Sequence, residues 1–331
     1  MDKSTRQHVT LISLQGLGNS IINFPIYYQI AKSYDVQIVA YRNGSSSFYR
    51  ELGANVLEIS SLKDLFFQST SIKTDFSFSF YPNWRRELAC LNLSHANEKF
   101  HFSTKPILQP FFLGHCLPTN FERHDFENNL EILKVLGLEY TRSISALSDF
   151  INKDNKPLNY AVIHPTASTP FKYYPIKFWL EILEYLDSKF DHVYILSGKN
   201  AYEQDYVKQL QKPNTTLGIG LSFKEIINVI AGSELFVGLD SAMMHLAAIL
   251  KVKTVGLWSF ADIKRIYPYA PDAYLFVPAE ILKAKTFKYP AKELPWFKRI
   301  NSDQVIEILE GCAPDLRKTD LAGNDIKIKW F

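Results

Sequence analysis

Short apolar runs alternate with longer amphipathic stretches along most of the chain. HVTLISL (8–14), VQIVAY (36–41), ANVLEI (54–59), DFSFSF (75–80) and EKFHF (98–102) read as strands, rich in β-branched and aromatic residues. Between them, NSIINFPIYYQIAKS and SSFYRELG have helical spacing. This alternation predicts a parallel sheet with right-handed crossovers. HDFENNLEILKVLGL then sets Phe126, Leu130, Leu133 and Leu136–Leu138 on one helical stripe ending at Gly137.

The pattern lapses at SDFINKDNKPLN (148–159), which has the composition of a linker, with Pro157 ahead of the next apolar run. It restarts with strands YAVIHP (160–165), HVYILSG (192–198), TTLGIG (215–220), ELFVGL (234–239) and KTVGLW (253–258). Helices are predicted from Pro175, from Asn200, over 222–232, over 240–250 and over 302–312, the last preceding a charged tail. The expectation is two doubly wound, Rossmann-like α/β domains, residues 1–155 and 156–331, facing across a cleft.

A length of 331 residues supports two cores of ordinary size, and 47% hydrophobic with 21% charged residues is an ordinary globular balance. Aromatic content of 14% suits deep cores or a lipid- or sugar-facing surface, and an AT-rich coding bias accounts for it equally well. The net charge is +3, and 15 basic against 15 acidic residues in 1–155, with 22 against 19 in 156–331, leaves neither half with a strong field. Nucleic acid is therefore not the expected partner. Cys90, Cys116 and Cys312 are scattered, with no disulfide framework and no metal-ligand spacing, which points to a reducing compartment. No window nears the roughly 18 apolar residues of a membrane span, so a cytoplasmic protein, at most peripherally attached to a membrane, is expected.

Candidate chemistry gathers where strands end. In ELFVGLDSAMMHLAAIL, Asp240 stands where a helix cap belongs, Ser241 and Ala242 open the helix, and His245 falls one turn after Ser241. Ligands of open α/β sheets bind beyond the carboxyl ends of strands, and free amides at a helix start favour an anion. The plain alternative is that Asp240 only caps its helix and His245 is core. In VIHPTASTPFKYYPIKFW, a strand is followed by the small hydroxylated residues Thr166, Ser168 and Thr169, then Lys172. Such a loop admits a phosphate with a countercharge, although a simple connection has the same composition. In LSGKNAYEQ, Glu203 in a first helical turn either answers the helix dipole or accepts a pair of ribose hydroxyls. The opening LQGLGN is not a dinucleotide fingerprint, because Ser20 and Ile21 follow Gly16 and Gly18, so an oxidoreductase is a poor match. Two close glycines still let a substrate approach.

Taken in order, HPTASTPFKYYP, SGKNAYEQ, LGIGLSFKEI and LFVGLDSAMMHLAA resemble glycosyltransferase family 9, the lipopolysaccharide heptosyltransferase family with the GT-B fold. GLGNSIINFP is similar to that family's opening, and HDFENNLEILKVLG, from His124, to its conserved-spacing helix. The resemblance runs from Val9 to Pro271. It implies that Lys172 and the Ser241–Ala242 helix start contact a donor diphosphate, with His245 beside the phosphates. Glu203 would accept the ribose hydroxyls, the loop Gly218–Ser222 would line the base, Asp240 would hold donor-sugar hydroxyls, and Thr166 and Ser168 would border the pocket. Gly16, Gly18 and Asn19 would form the acceptor-side loop. No cofactor and no metal are implied.

Two departures stand out. Ala242 replaces a glycine, and Asn19 stands where the family has its general-base aspartate. An amide cannot take that proton, so the proton must go to His124, Asp125, Asp240 or water. The implied function is inverting transfer of a sugar, heptose among the candidates, from a nucleoside-diphosphate sugar such as ADP-heptose to a glycan or glycolipid hydroxyl. Lipopolysaccharide core is one such acceptor, and the work would be done in the cytoplasm or at the cytoplasmic face of the inner membrane. The rival readings are a sugar-nucleotide-binding protein without transferase activity and a GT-B nucleotide-sugar epimerase.

Overall fold

The computed structural model describes residues 6–42, 44–80, 85–102, 114–120, 122–139, 147, 150–151, 158–259, 262–269, 273–277 and 300–311, and the backbone of 317–321 and 324–330. The chain divides into two compact units, Met1–Ala146 and Leu147–Phe331. Most of the linker-like stretch lies outside the described residues.

The first unit runs β1 (His8–Ser13), α1 (Leu17–Ala31), β2 (Asp35–Tyr41), α2 (Gly44–Glu51), β3 (Asn55–Ile59), α3 (Leu62–Ser71), β4 (Lys73–Ser79), α4 (Arg85–Leu93), β5 (His95–Phe102), β6 (His115–Leu117), α5 (Asp125–Asn129) and α6 (Glu131–Val135). Its six strands lie in the order β3-β2-β1-β4-β5-β6 and pair in parallel throughout. The connection reverses direction between β1 and β4, where Ile12 stands opposite Ser79. The helical stripe expected to end at Gly137 is interrupted at Leu130, and the chain turns at Gly137, whose φ of 65° suits a residue without a side chain.

The second unit runs β7 (Tyr160–His164), α7 (Ile176–Asp187), β8 (His192–Ser197), α8 (Ala201–Lys208), β9 (Thr215–Ile219), α9 (Phe223–Ala231), β10 (Leu235–Leu239), α10 (Ala242–Ile249), β11 (Lys253–Leu257), α11 (Ile263–Ile266), β12 (Ala273–Val277), α12 (Ser302–Leu309), β13 (Arg317–Leu321) and β14 (Asn324–Trp330). Strands β9-β8-β7-β10-β11-β12 repeat the order of the first sheet, and β14 and β13 extend it, β13 antiparallel. The charged tail therefore completes a sheet. In NDIKIKW charged and apolar residues alternate with the period of a strand, a signal that the overall charge of the tail conceals.

β7 and β10 are buried along their whole length, as central strands covered on both faces must be. They are neighbours, with Gly238 opposite His164, so the segments leaving His164 and Leu239 emerge together at the switch point. α10 is apolar on nearly every side and correspondingly buried. It lies close on the sheet because Gly256 has no side chain; a Cβ there would collide with Met244 of α10 and Leu275 of β12.

Candidate active site

The Asp240 amide donates to the Leu257 carbonyl at 3.0 Å, so strand pairing continues one residue past β10 and the helix cannot start there. Ser241, extended at φ −149° and ψ 169°, is the N-cap instead, which corrects the capping reading of Asp240. The carboxylate is then free for other partners. Lys172, at the end of a short 3-10 turn over Pro170–Lys172, reaches it from the loop after β7. Its Nζ donates to the Asp240 carbonyl oxygen at 3.0 Å and to Oδ2 at 3.3 Å. Ser259, just beyond β11, donates its hydroxyl to the same Oδ2 at 2.8 Å. All three residues are buried.

The Ser241 hydroxyl makes no capping hydrogen bond. It pairs with His164 Nδ1 at 3.1 Å, the ring standing at the end of β7. The first amides of α10 thus have no side-chain cap, and an uncapped helix start attracts anionic oxygen. His245 is buried one turn along, and its Nδ1 has no hydrogen-bond partner among the described residues. Burial lowers both imidazoles to about 4. At His245, Asp240 pulls the value up and Lys172 pushes it down, but desolvation prevails. Both rings are therefore neutral near pH 7 and can exchange donor and acceptor roles.

Thr166 is fully buried in the same loop, while Ser168 is exposed. Glu203 lies in the first turn of α8. Its Oε2 accepts the Gly198 amide at 2.6 Å and its Oε1 accepts the Asn200 side-chain amide. Asn200 in turn caps α8 by accepting the Glu203 amide at 2.8 Å. A Cβ on Gly198 would overlap the Glu203 carboxylate, so the glycine is what lets that side chain fold back. Gly218 is tightly packed under Leu196, and Gly220 takes a φ of 69°. Ser222 caps α9 reciprocally with Glu225, so its hydroxyl is already engaged. A cavity of about 390 Å³ opens between β9 and α9, lined by Gly218, Leu221 and Tyr194 among others and by none of the Lys172–Asp240 group.

In the first unit, α1 begins at Leu17 rather than at Asn19, with Gly16 as its N-cap. Gly18 and Asn19 are inside the first turn, and neither Gly16 nor Gly18 uses a positive φ. Asn19 is half-buried, its Nδ2 3.5 Å from Gln15 Oε1. His124 caps α5, its Nδ1 accepting the Phe126 amide at 3.2 Å, and is 1% exposed; Asp125 is buried in the first turn. α5 packs on α1, joined by a hydrogen bond of 2.7 Å from Asn129 to Asn23.

Two polar residues at the switch points escaped the sequence reading. Ser259 was detectable only as the first hydroxyl after the strand neighbouring β10. Glu87 is fully buried in the first turn of α4; its Oε1 accepts the Leu14 amide at 2.8 Å and its Oε2 the Ser79 hydroxyl at 3.0 Å. It ties the ends of β1 and β4 together near the start of α1, and in sequence it is one acid in a charged run.

The geometry leads to an α/β protein of two doubly wound units, the second of which sets a buried lysine and a helix start without a side-chain cap at its switch point. Within that class, the profile of glycosyltransferase family 9 (heptosyltransferase) matches residues 69–297, and the chain belongs to that family. It is 26% identical over 207 residues to lipopolysaccharide heptosyltransferase 3 of Escherichia coli K12. That match covers 58% of this chain and 60% of the relative, so the chain spans less than two thirds of the length of this curated protein. The E. coli heptosyltransferase WaaC with ADP superposes with a TM-score of 0.71 over 92% of this chain and 100% of that one, at 16% identity. WaaC with ADP-2-deoxy-2-fluoro heptose gives 0.70 over 92% and 99%, also at 16% identity. At that identity the likeness is one of fold.

Proposed function

We propose that the chain is an inverting, metal-independent glycosyltransferase that moves a heptose from a nucleoside-diphosphate donor to a hydroxyl of a bacterial surface glycolipid, such as lipopolysaccharide core, at the cytoplasmic face of the inner membrane. The second unit would bind the donor and the first the acceptor. Family membership supports the reaction class, and the ADP and ADP-2-deoxy-2-fluoro heptose bound by WaaC support the donor class.

The observation that carries this reading is the position of Lys172 Nζ against Asp240, beside the uncapped start of α10. In transfer, the acceptor oxygen bonds to the anomeric carbon as the bond to the diphosphate breaks. Negative charge grows on the departing phosphate, and preorganised donors aimed there lower the barrier. Lys172, the α10 amides and the Ser241 hydroxyl are such donors. Asp240, with one oxygen held by Ser259, would offer the other to sugar hydroxyls. Glu203 keeps unused acceptor lone pairs for the ribose hydroxyls.

Asn19 favours one second reading, a sugar-nucleotide-binding protein without transfer, because an amide there cannot accept the acceptor proton. A thermal-shift series of nucleoside diphosphates and ADP-sugars, followed by assay with a heptose-accepting glycolipid, separates the two. A donor at 100 times its Kd should add about 2.7 kcal/mol of stability. Stabilisation with transfer supports the enzyme, stabilisation without transfer supports the binding protein, and no stabilisation by any nucleotide rejects both.

A further inference from the structure

We propose that the outer face of α3, together with the start of α4 beside it, is a docking surface for an anionic lipid bilayer. Among the described residues, three of the six exposed large apolar side chains lie on this one helix. Leu62, Phe66 and Phe67 are 67%, 53% and 59% exposed, whereas the other three are scattered singly over other elements. Leu65 and Ser69 of the same helix are buried, and Ser61 caps it by accepting the Asp64 amide. The exposed residues are thus presented by an ordered helix. A helix of a globular protein normally turns its apolar residues to the core, and a cluster left outside marks an interaction surface.

The charge around the cluster selects the occupant. Lys63 projects from the same face, its Nζ 5.9 Å from the centre of the Phe67 ring. α4 packs beside α3 and begins with Arg85 and Arg86, both exposed. Arg86 is steadied by a hydrogen bond of 2.9 Å to the Tyr41 hydroxyl at the end of β2. Hydrogen bonds from the Ser60 amide and hydroxyl keep the Asp64 carboxylate ionised, and Glu58 lies between Arg42 and Arg50. Lys63, Arg85 and Arg86 outweigh Asp64, so the net charge bordering the aromatic and aliphatic side chains is positive. That combination fits lipid phosphates at the level of the cations, with the rings at the acyl boundary.

Topology adds a reason for the location. In a parallel sheet, helices begin at the carboxyl edge, so the starts of α3 and α4 share an edge with Gly16–Asn19. Resting on the proposed glycolipid acceptor, this puts the bilayer beside the loop assigned to the acceptor hydroxyl. The lipid contact itself does not depend on that reading.

The test is co-sedimentation of the full chain with vesicles of phosphatidylcholine plus phosphatidylglycerol, and with phosphatidylcholine alone. The wild type should bind the anionic vesicles preferentially. Leu62→Ser/Phe66→Ser/Phe67→Ser should lower partitioning about tenfold or more. Lys63→Glu/Arg85→Glu should abolish the preference for anionic lipid, and both variants should retain wild-type thermal stability and nucleotide response. Equal binding by wild type and triple variant, or no wild-type binding, would overturn the proposal. So would light scattering that shows a dimer dissociated by the triple change in a protein that ignores vesicles. Vesicle binding without nucleotide binding would count against the transferase reading while upholding this one.

Discussion

The Lys172 ammonium lies 3.0 Å from the Asp240 carbonyl oxygen and 3.3 Å from its carboxylate, with the two residues only 9% and 5% exposed. A cation in this position is held by one residue through both main chain and side chain. It is oriented before any ligand arrives.

Removing either partner has separable effects. Lys172→Ala should lower kcat on the order of 100-fold or more, the scale seen when one preorganised donor to developing charge is lost. Asp240→Asn preserves shape and the main-chain contact, and because Ser241, not Asp240, holds the N-cap position, the start of α10 is untouched. Turnover should fall steeply while the protein stays folded. A change below threefold in either variant, measured on correctly folded protein, would remove that residue from the site.

Ser241→Ala discriminates a ligand hydroxyl from a capping one. A working cap is worth about 1 kcal/mol, but this hydroxyl bonds His164 and not the helix. Denaturant midpoints should therefore move little, and nucleoside-diphosphate affinity should drop. The reverse pattern would make Ser241 structural.

Gly198→Ala forces a Cβ into the Glu203 carboxylate. The helix cap at Asn200 and the fold-back of Glu203 should both be disturbed. Lowered thermal stability and weakened binding of ribonucleotides relative to inorganic diphosphate are expected, and calorimetric titration reads the second effect.

Asn19→Asp places a carboxylate in the first turn of α1, where the helix dipole favours it by roughly 0.3–1 kcal/mol, so the variant should fold. General-base assistance is worth roughly 10²–10⁴-fold. With His124 capping α5 and nearly inaccessible, we expect the variant to accelerate transfer and to acquire an acid limb in its pH–rate profile. If instead Asp125→Asn slows the native enzyme more than Asn19→Ala does, the base has moved to α5.

Stability should fall as pH drops from about 6.5 towards about 4. His164 and His245 have native values near 4 against an ordinary 6.5. Within that window the unfolded chain takes up protons that the native rings refuse, so acid favours unfolding. Each ring contributes on the order of 3 kcal/mol, fully present above 6.5 and exhausted below 4. Urea midpoints at stepped pH measure it, and His245→Gln should flatten part of the slope.

The sequence by itself determined the elements and their kind. Continuous apolar runs such as YAVIHP and ELFVGL read as strands covered on both faces, and the amphipathic stretches between them as parallel crossovers. Motifs read in order were enough to place Lys172, Asp240 and Ser241 near one another and to single out Asn19. The tertiary structure decided how the polar groups are partnered, because those partners lie far along the chain. Asp240 lost its capping role when its amide joined β11, an event that depends on Leu257. Ser259 and Glu87 became visible only when neighbouring strands brought their ends together. The structure likewise starts α1 at Leu17, which puts Gly18 and Asn19 in its first turn. Local pattern reports which way a residue faces; only packing reports what it faces.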